Sequence, residues 1–335
     1  MPGKVLVTGA AGFIGSHVVR ELLAAGRHVR ATARNPESAA FLADLPVGTG
    51  GSLEIVAMEL LDPESVVVAV GECEEVIHCA AALYVGAKDA QRDVVDPSIE
   101  GTRNLIAAIE ADSGVKRIVH TSSVAAIRAT NFRTGHTYSA ADWCDDATLK
   151  SNAYGLAKAG AERLIRDWWE SQDEDERPRL VTIHPSIVIG PILAKRHLSG
   201  SMGFVDHLVK GKLPFVLKSH IEMVDVRDVA TTHVSALTKG VDGGRYIVHA
   251  GGLWHREMAK ILKDEFPQRK WARRQLPKWA TYVVAIFHSK ITIGWVRKNI
   301  GLWCDFDAGD TVEELDITWL PLSTSIIDGA ASIID

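Results

Sequence analysis

The chain has 335 residues, 47% of them hydrophobic and 24% charged, enough to bury the core of one large or two smaller domains. Its formal net charge of −5 gives no overall attraction to nucleic acid, and no run of 18 apolar residues offers a membrane span. Four scattered cysteines, Cys73, Cys79, Cys144 and Cys304, lack the paired spacing of a zinc site, so no metal is expected and a reduced, cytoplasmic setting fits.

The first element is "KVLVTG" (4–9), a continuous apolar run that reads as a parallel strand covered on both faces. "FIGSHVVRELLAAG" (13–26) has apolar residues at helical spacing and closes on Gly26, and "HVRATAR" (28–34) resumes a strand, which makes a βαβ unit. "LEIVAMEL" (53–60) reads as a strand, "DPESVVVAV" (62–70) as a helix with Asp62 at its cap, and "EEVIHCAA" (74–81) as another strand. "PSIEGTRNLIAAIEA" (97–111) is helical, "VKRIVHTSS" (115–123) is a strand ending on hydroxyls, and "AYGLAKAGAERLIRDWWE" (153–170) is a long amphipathic helix. The run "RLVTIHPSIVIGP" (179–191) reads as a sixth strand leading into a loop. Six or more strands alternating with helices predict a doubly wound α/β fold with a parallel sheet, with ligands at the carboxyl ends of the strands.

Past about residue 190 the alternation loosens. We expect residues 1–190 to form a dinucleotide-binding domain and 191–335 a smaller substrate-binding lobe, with about 221–250 returning to the first domain. Within that lobe "GRYIVHAGG" (244–252) is sheet-like and "EMAKILKDEF" (257–266) helical. The segment 266–303 mixes Arg and Lys with Trp271, Trp279, Trp295 and Trp303. Its tryptophans are expected to pack inward or line a hydrophobic pocket, in preference to touching a membrane or a phosphorylated carrier.

Gly9, Gly12 and Gly15 form G-x-x-G-x-x-G between the first strand and its helix, where backbone N–H groups and a helix N-terminus suit a pyrophosphate. At the end of the second strand stands Arg34, with no carboxylate before Glu37. An acid there would bind a ribose 2′-hydroxyl, and an Arg suits a 2′-phosphate, so NADP is preferred and NAD remains possible. Further on, Tyr154 and Lys158 lie four apart and share one helix face, as a proton-donating pair would require. Tyr84 and Lys88 have the same spacing but follow a strand in a loop, where it need not put them on one face.

The blocks "VTGAAGFIGSHVV", "VRATARNP", "VIHCAA", "EGTRNL", "RIVHTSS", "YGLAK", "HPSIVIGP", "VDVRDVA" and "GRYIV" resemble, in that order, the extended short-chain dehydrogenases/reductases. Within that family the likeness is to the dihydroflavonol reductase and cinnamoyl-CoA reductase group, which includes microbial aldehyde and ketone reductases. The resemblance covers nearly the whole chain and implies a Rossmann-type fold. It implies that the chain is an NAD(P)-binding carbonyl reductase, with Ser123 holding the substrate oxygen, Tyr154 as proton donor and Lys158 tuning it and bonding the nicotinamide ribose. A free phenol has a pKa near 10, and a neighbouring ammonium lowers it by stabilising phenolate. Side chains alternate along a strand, so only one of Ser122 and Ser123 faces the site, and the family pattern picks Ser123.

The resemblance also implies cofactor contacts at Gly9, Gly12, Phe13, Ile14, Gly15, Arg34, Glu59, Leu60, Ala80, Ala81, Ala82, Tyr154, Lys158, Pro185 and Val188. Phe41 stands where the family often has a lysine beside the 2′-phosphate, and Glu59 where it usually has an Asp near the adenine. The expected partner is a small carbonyl or alcohol substrate, bulky or aromatic, and the protein is expected as a monomer or homodimer. Two other readings share these motifs. One is a nucleotide-sugar epimerase or dehydratase or a hydroxysteroid dehydrogenase, although "HTSSVAAI" has no Asp-Glu pair for dehydration. The other is a catalytically silent dinucleotide sensor.

Overall fold

The computed structural model describes residues 3–81, 88–111, 114–211, 215–272, 274–287 and 293–334. The first half alternates as β1 (Lys4–Thr8), α1 (Phe13–Ala24), β2 (His28–Ala33), β3 (Ser52–Ala57), α2 (Pro63–Val70), β4 (Cys73–His78), α3 (Asp96–Ala111), β5 (Arg117–Thr121), β6 (His136–Tyr138) and α4 (Leu149–Ser171). Then come β7 (Arg179–Pro185), β8 (Ile187–Ile189), α5 (Met202–Val209), β9 (Phe215–Val216), β10 (His220–Asp225), α6 (Val226–Ala236), β11 (Arg245–Val248), β12 (Gly251–Trp254) and α7 (His255–Glu265). The last elements are β13 (Arg274–Gln275), α8 (Lys278–Phe287), α9 (Ile293–Asn299), β14 (Cys304–Phe306), α10 (Gly309–Leu315) and α11 (Leu322–Ile334).

Seven strands form one sheet in the order β11-β7-β5-β4-β1-β2-β3, and every pairing in it is parallel. The continuous apolar runs of the sequence follow from this, because each central strand is covered twice. In β1, Val5 and Val7 join Val18, Val19 and Leu22 of α1 and Val229 of α6, while Leu6 points the other way among Val66, Leu105, Ile109 and Ile165 of α2, α3 and α4. Burying one such aliphatic side chain is worth about 1.5–3 kcal/mol. Strand order reverses between β1 and β4, which opens the crevice where this fold takes its ligands.

The run read as one sixth strand is two. Pro185 closes β7, since a proline offers no N–H to extend the ladder, and after Ser186 the chain enters β8 in a second sheet of order β12-β10-β8. From β10, α6 packs back onto α1 and β11 returns to the edge of the main sheet. α5, α7 and α11 cover the small sheet, with Met202, Val205, Met258, Leu262 and Ile326 between them. The expectation for the tryptophans needs correction at two positions. Trp271 is buried, but Trp279 is 72% exposed, because only one face of α8 meets the protein, and Trp303, just before β14, is 41% exposed; the side chain of Trp295 lies outside the described residues. Among the described residues no helix is long and apolar enough to cross a membrane.

Candidate active site

Gly9 directly follows β1 with φ +65°, a conformation glycine adopts without a Cβ penalty. A Cβ there would also lie 2.8 Å from the Cα of Ala80, in the segment after β4. The Gly12 N–H donates to the Gly9 carbonyl at 2.9 Å, and Gly12 stands at the N-cap of α1 with no side chain capping that end. The N–H groups of Phe13, Ile14 and Gly15 therefore have no intrahelical acceptor, and the positive end of the helix dipole adds to them. Gly12 is exposed, Phe13 and Ile14 half-buried. This uncapped helix end, behind a turn that a Cβ would block, fits the pyrophosphate of a dinucleotide.

Beside it, the Thr8 hydroxyl binds the His78 Nδ1 (2.8 Å) and accepts the Ala80 N–H (3.1 Å), fixing the chain after β4 against β1. Leu60, Ala80 and Ala81 line the same cavity as His78, His120 and Lys158, a space of about 10 Å³ that has room for about one water molecule. Among the described residues neither ring nitrogen of His120 has a hydrogen-bond partner, and burial holds its pKa well below that of free histidine. Burial likewise lowers His78, to about 3. Glu59 is exposed, its backbone N–H donated to Ser65 Oγ. Arg34 is exposed one residue beyond β2, with no ion-pair partner among the described residues. Pro185 ends β7, and Val188 is buried in β8. Ala82, as well as Tyr84 of the competing pair, lies outside the described residues.

Past the end of β5 the two serines diverge as alternation requires. Ser122 is buried and donates to Glu162 at 2.6 Å, whereas Ser123 is half-buried, accepts the Ala125 N–H at 3.1 Å and holds its Oγ 3.5 Å from the Pro185 carbonyl. Across from it, α4 is interrupted at Asn152 (φ −163°, ψ 71°), whose Oδ1 accepts the Gly155 N–H at 2.9 Å and so caps the long segment that follows. Tyr154 thus stands in a first turn, where the helix dipole favours negative charge. A Cβ on Gly155 would meet the Ala125 carbonyl at 3.0 Å, so the helix start and the turn after Ser123 touch backbone to backbone. One turn on, Lys158 is 7% exposed and donates to the Thr121 carbonyl at 3.0 Å, which leaves two of its three N–H groups for other partners.

Residues 5–248 match the model of the NAD dependent epimerase/dehydratase family. The chain belongs to that family. Cinnamoyl-CoA reductase 1 of Oryza sativa subsp. japonica is 34% identical over 269 residues, 79% of this chain and 76% of that protein. Dihydroflavonol 4-reductase of Zea mays is 28% identical over 274 residues, 79% of this chain and 75% of that protein. The solved structure of Gre2 from Candida albicans in complex with NADPH matches with a TM-score of 0.80 at 25% identity, covering 99% of both chains. The chain is therefore an NAD(P)-dependent oxidoreductase of the extended short-chain type, in its dihydroflavonol and cinnamoyl-CoA reductase-like branch.

Next to Ser122 and Lys158, this oxidoreductase carries a buried polar network. Glu162 accepts from Ser122, from His184 Nε2 at 2.8 Å and from Arg245 Nε at 2.7 Å, and Arg245 also donates to the carbonyls of Ala140 and Asp142 and stacks 3.8 Å from the Trp143 ring. Burial alone would raise the Glu162 pKa, but His184 and Arg245 outweigh it and hold the carboxyl below the usual carboxylate range. Sequence reading missed this network. Glu162 lies four residues after Lys158, the spacing of an ordinary helix ion pair, yet the two side chains reach different partners. A wider cleft of about 370 Å³ beside Trp143, Arg163 and Arg166 contains none of the expected site residues.

Proposed function

We propose that this oxidoreductase reduces an aldehyde or ketone to the alcohol, with NADPH as its preferred coenzyme, and runs the oxidation in reverse. The observation that supports the reading is that the buried Lys158 donates to the carbonyl of Thr121 at the carboxyl end of β5, two residues before Ser123, while Tyr154 stands one turn before Lys158 at the capped start of the long segment of α4. The coenzyme, when bound, supplies the hydride. Reduction builds negative charge on the carbonyl oxygen, which needs a hydrogen-bond donor and then a proton. The Ser123 hydroxyl is the donor: its 3.5 Å contact with the Pro185 carbonyl is at the edge of hydrogen-bonding range and costs little to give up. Tyr154 gives its phenolic proton to that oxygen, and the Lys158 ammonium stabilises the negative charge left behind.

The NADP preference is supported by Arg34, an exposed guanidinium without an ion-pair partner among the described residues, where a carboxylate would otherwise bind the ribose, and by the likeness to Gre2, solved with NADPH. Aromatic substrates are supported by two relatives named as reductases of cinnamoyl-CoA and dihydroflavonol. His220 with Trp254 at 5.0 Å and Trp303 at 6.1 Å adds an aromatic face in the lobe. Mixing the purified protein and NADPH with aliphatic and aromatic aldehydes, ketones and sugar nucleotides tests the reading. Loss of the reduced-nicotinamide absorbance with carbonyls, fastest for aromatic ones, is expected. Conversion of a sugar nucleotide with the coenzyme returned unchanged would replace the proposal by an epimerase, and binding without any turnover by a sensor.

A further inference from the structure

We infer that Arg196, which belongs to the segment after β8 and not to the dinucleotide-binding half, is a second cation for the 2′-phosphate of NADP and so sets coenzyme choice together with Arg34. The short turn Lys195–Ser199 is held against the glycine loop on one side and the turn after β2 on the other. The backbone N–H of Leu193 donates to His197 Nδ1 (3.3 Å), which makes Nδ1 an acceptor and assigns the proton to Nε2; Nε2 in turn donates to the carbonyl of Ala11 in the glycine loop at 3.3 Å. The same ring lies 5.6 Å from Phe13 and 5.7 Å from Phe41, so it fills the gap between the glycine loop and the turn that follows β2. Its neighbour Arg196 is thereby carried to that turn, where Nη1 donates to the Ser38 carbonyl at 3.2 Å.

Ser38 is four residues past Arg34, and its own N–H and hydroxyl are tied back to the Asn35 carbonyl, so the corner that presents Arg34 is the one Arg196 grips. Both guanidinium groups are exposed, and among the described residues neither has a carboxylate ion-pair partner. Guanidinium carries five N–H donors, and one hydrogen bond to Ser38 leaves four in a fork suited to phosphate. Two unneutralised cations on one corner repel each other, and a phosphate monoester, with nearly two negative charges at pH 7, relieves that repulsion. A nucleoside without the 2′-phosphate offers Arg196 nothing to bind.

The inference rests on the NADP reading, and calorimetric titration with 2′,5′-ADP and 5′-ADP keeps the two apart. Wild type should bind 2′,5′-ADP the more tightly. Arg196→Gln should weaken 2′,5′-ADP by roughly ten-fold or more, the range of a hydrogen bond to a charged group, and leave 5′-ADP within about two-fold. Arg196→Lys should recover part of the loss. If wild type fails to discriminate, the NADP reading falls and this inference with it. If wild type discriminates but Arg196→Gln binds 2′,5′-ADP as tightly as before, or weakens both nucleotides equally, the NADP reading stands and Arg196 is only a lobe contact.

Discussion

At the scale of single residues, Glu162 shows how position on a helix decides chemistry. It shares α4 with Tyr154 and Lys158, but its side chain is fully buried and ends on His184 and Arg245, themselves at most 9% exposed. Removing one member of such a set leaves a buried charge unmatched, so Glu162→Ala should lower the free energy of unfolding by about 3–5 kcal/mol. Chemical denaturation measures this; a loss under about 1 kcal/mol would mean that the network is solvated. For Ser122 and Ser123, strand alternation said only that neighbours face opposite ways, and it took the family pattern to pick Ser123. Glu162 was not, since nothing local tells a helix-surface acid from one that meets a histidine of β7 and an arginine of β11. Arg196 was hidden for the same reason: its contact spans 158 residues of chain.

At the scale of elements, the break in α4 is the feature that sets the site. The sequence reading began the helix at Ala153, and the structure restarts it there, with Asn152 as cap. A turn, Leu149–Ser151, precedes it under its own Thr148–Ser151 capping box. Gly155→Val would push β-branched bulk against the Ala125 carbonyl and Asn152, moving Tyr154 away from Ser123. Since displacements of about 1 Å can cost 10²-fold in rate, kcat/KM should fall at least ten-fold, measured beside the melting temperature of the variant. Unchanged kcat/KM in a folded variant would show that close contact here does not position the phenol. The seven parallel strands were legible because double burial leaves continuous apolar runs. The small sheet was not: its strands are three to six residues long, and β8 follows β7 after one residue, so a single run spans two sheets.

At the scale of the molecule, buried histidines make stability fall in acid. Burial is the first cause in each case, lowering His17 and His78 to about 3 and His197, His233 and His255 to about 4. Between those values and 6.5 the unfolded chain binds protons that the folded one refuses, so stability is present above pH 6.5 and is lost as pH falls through this window. Asp228 works the other way: burial raises it to about 6, so its contribution is present below 3.8 and is lost as pH rises through 6. Five groups against one leave the histidines dominant. The melting temperature should drop steadily from pH 7 to pH 5, and a melting temperature that is flat or rises over that range would contradict the burial assigned to these rings.

The central claim is that the Tyr154 phenol, at the start of the helix and one turn before a buried ammonium, delivers the proton. Its most direct test is Tyr154→Phe, assayed for turnover of an aromatic aldehyde and, separately, for NADPH binding by fluorescence. We predict a loss of turnover of at least about 10²-fold with the coenzyme still bound at near wild-type affinity. A variant that keeps full turnover would contradict the account.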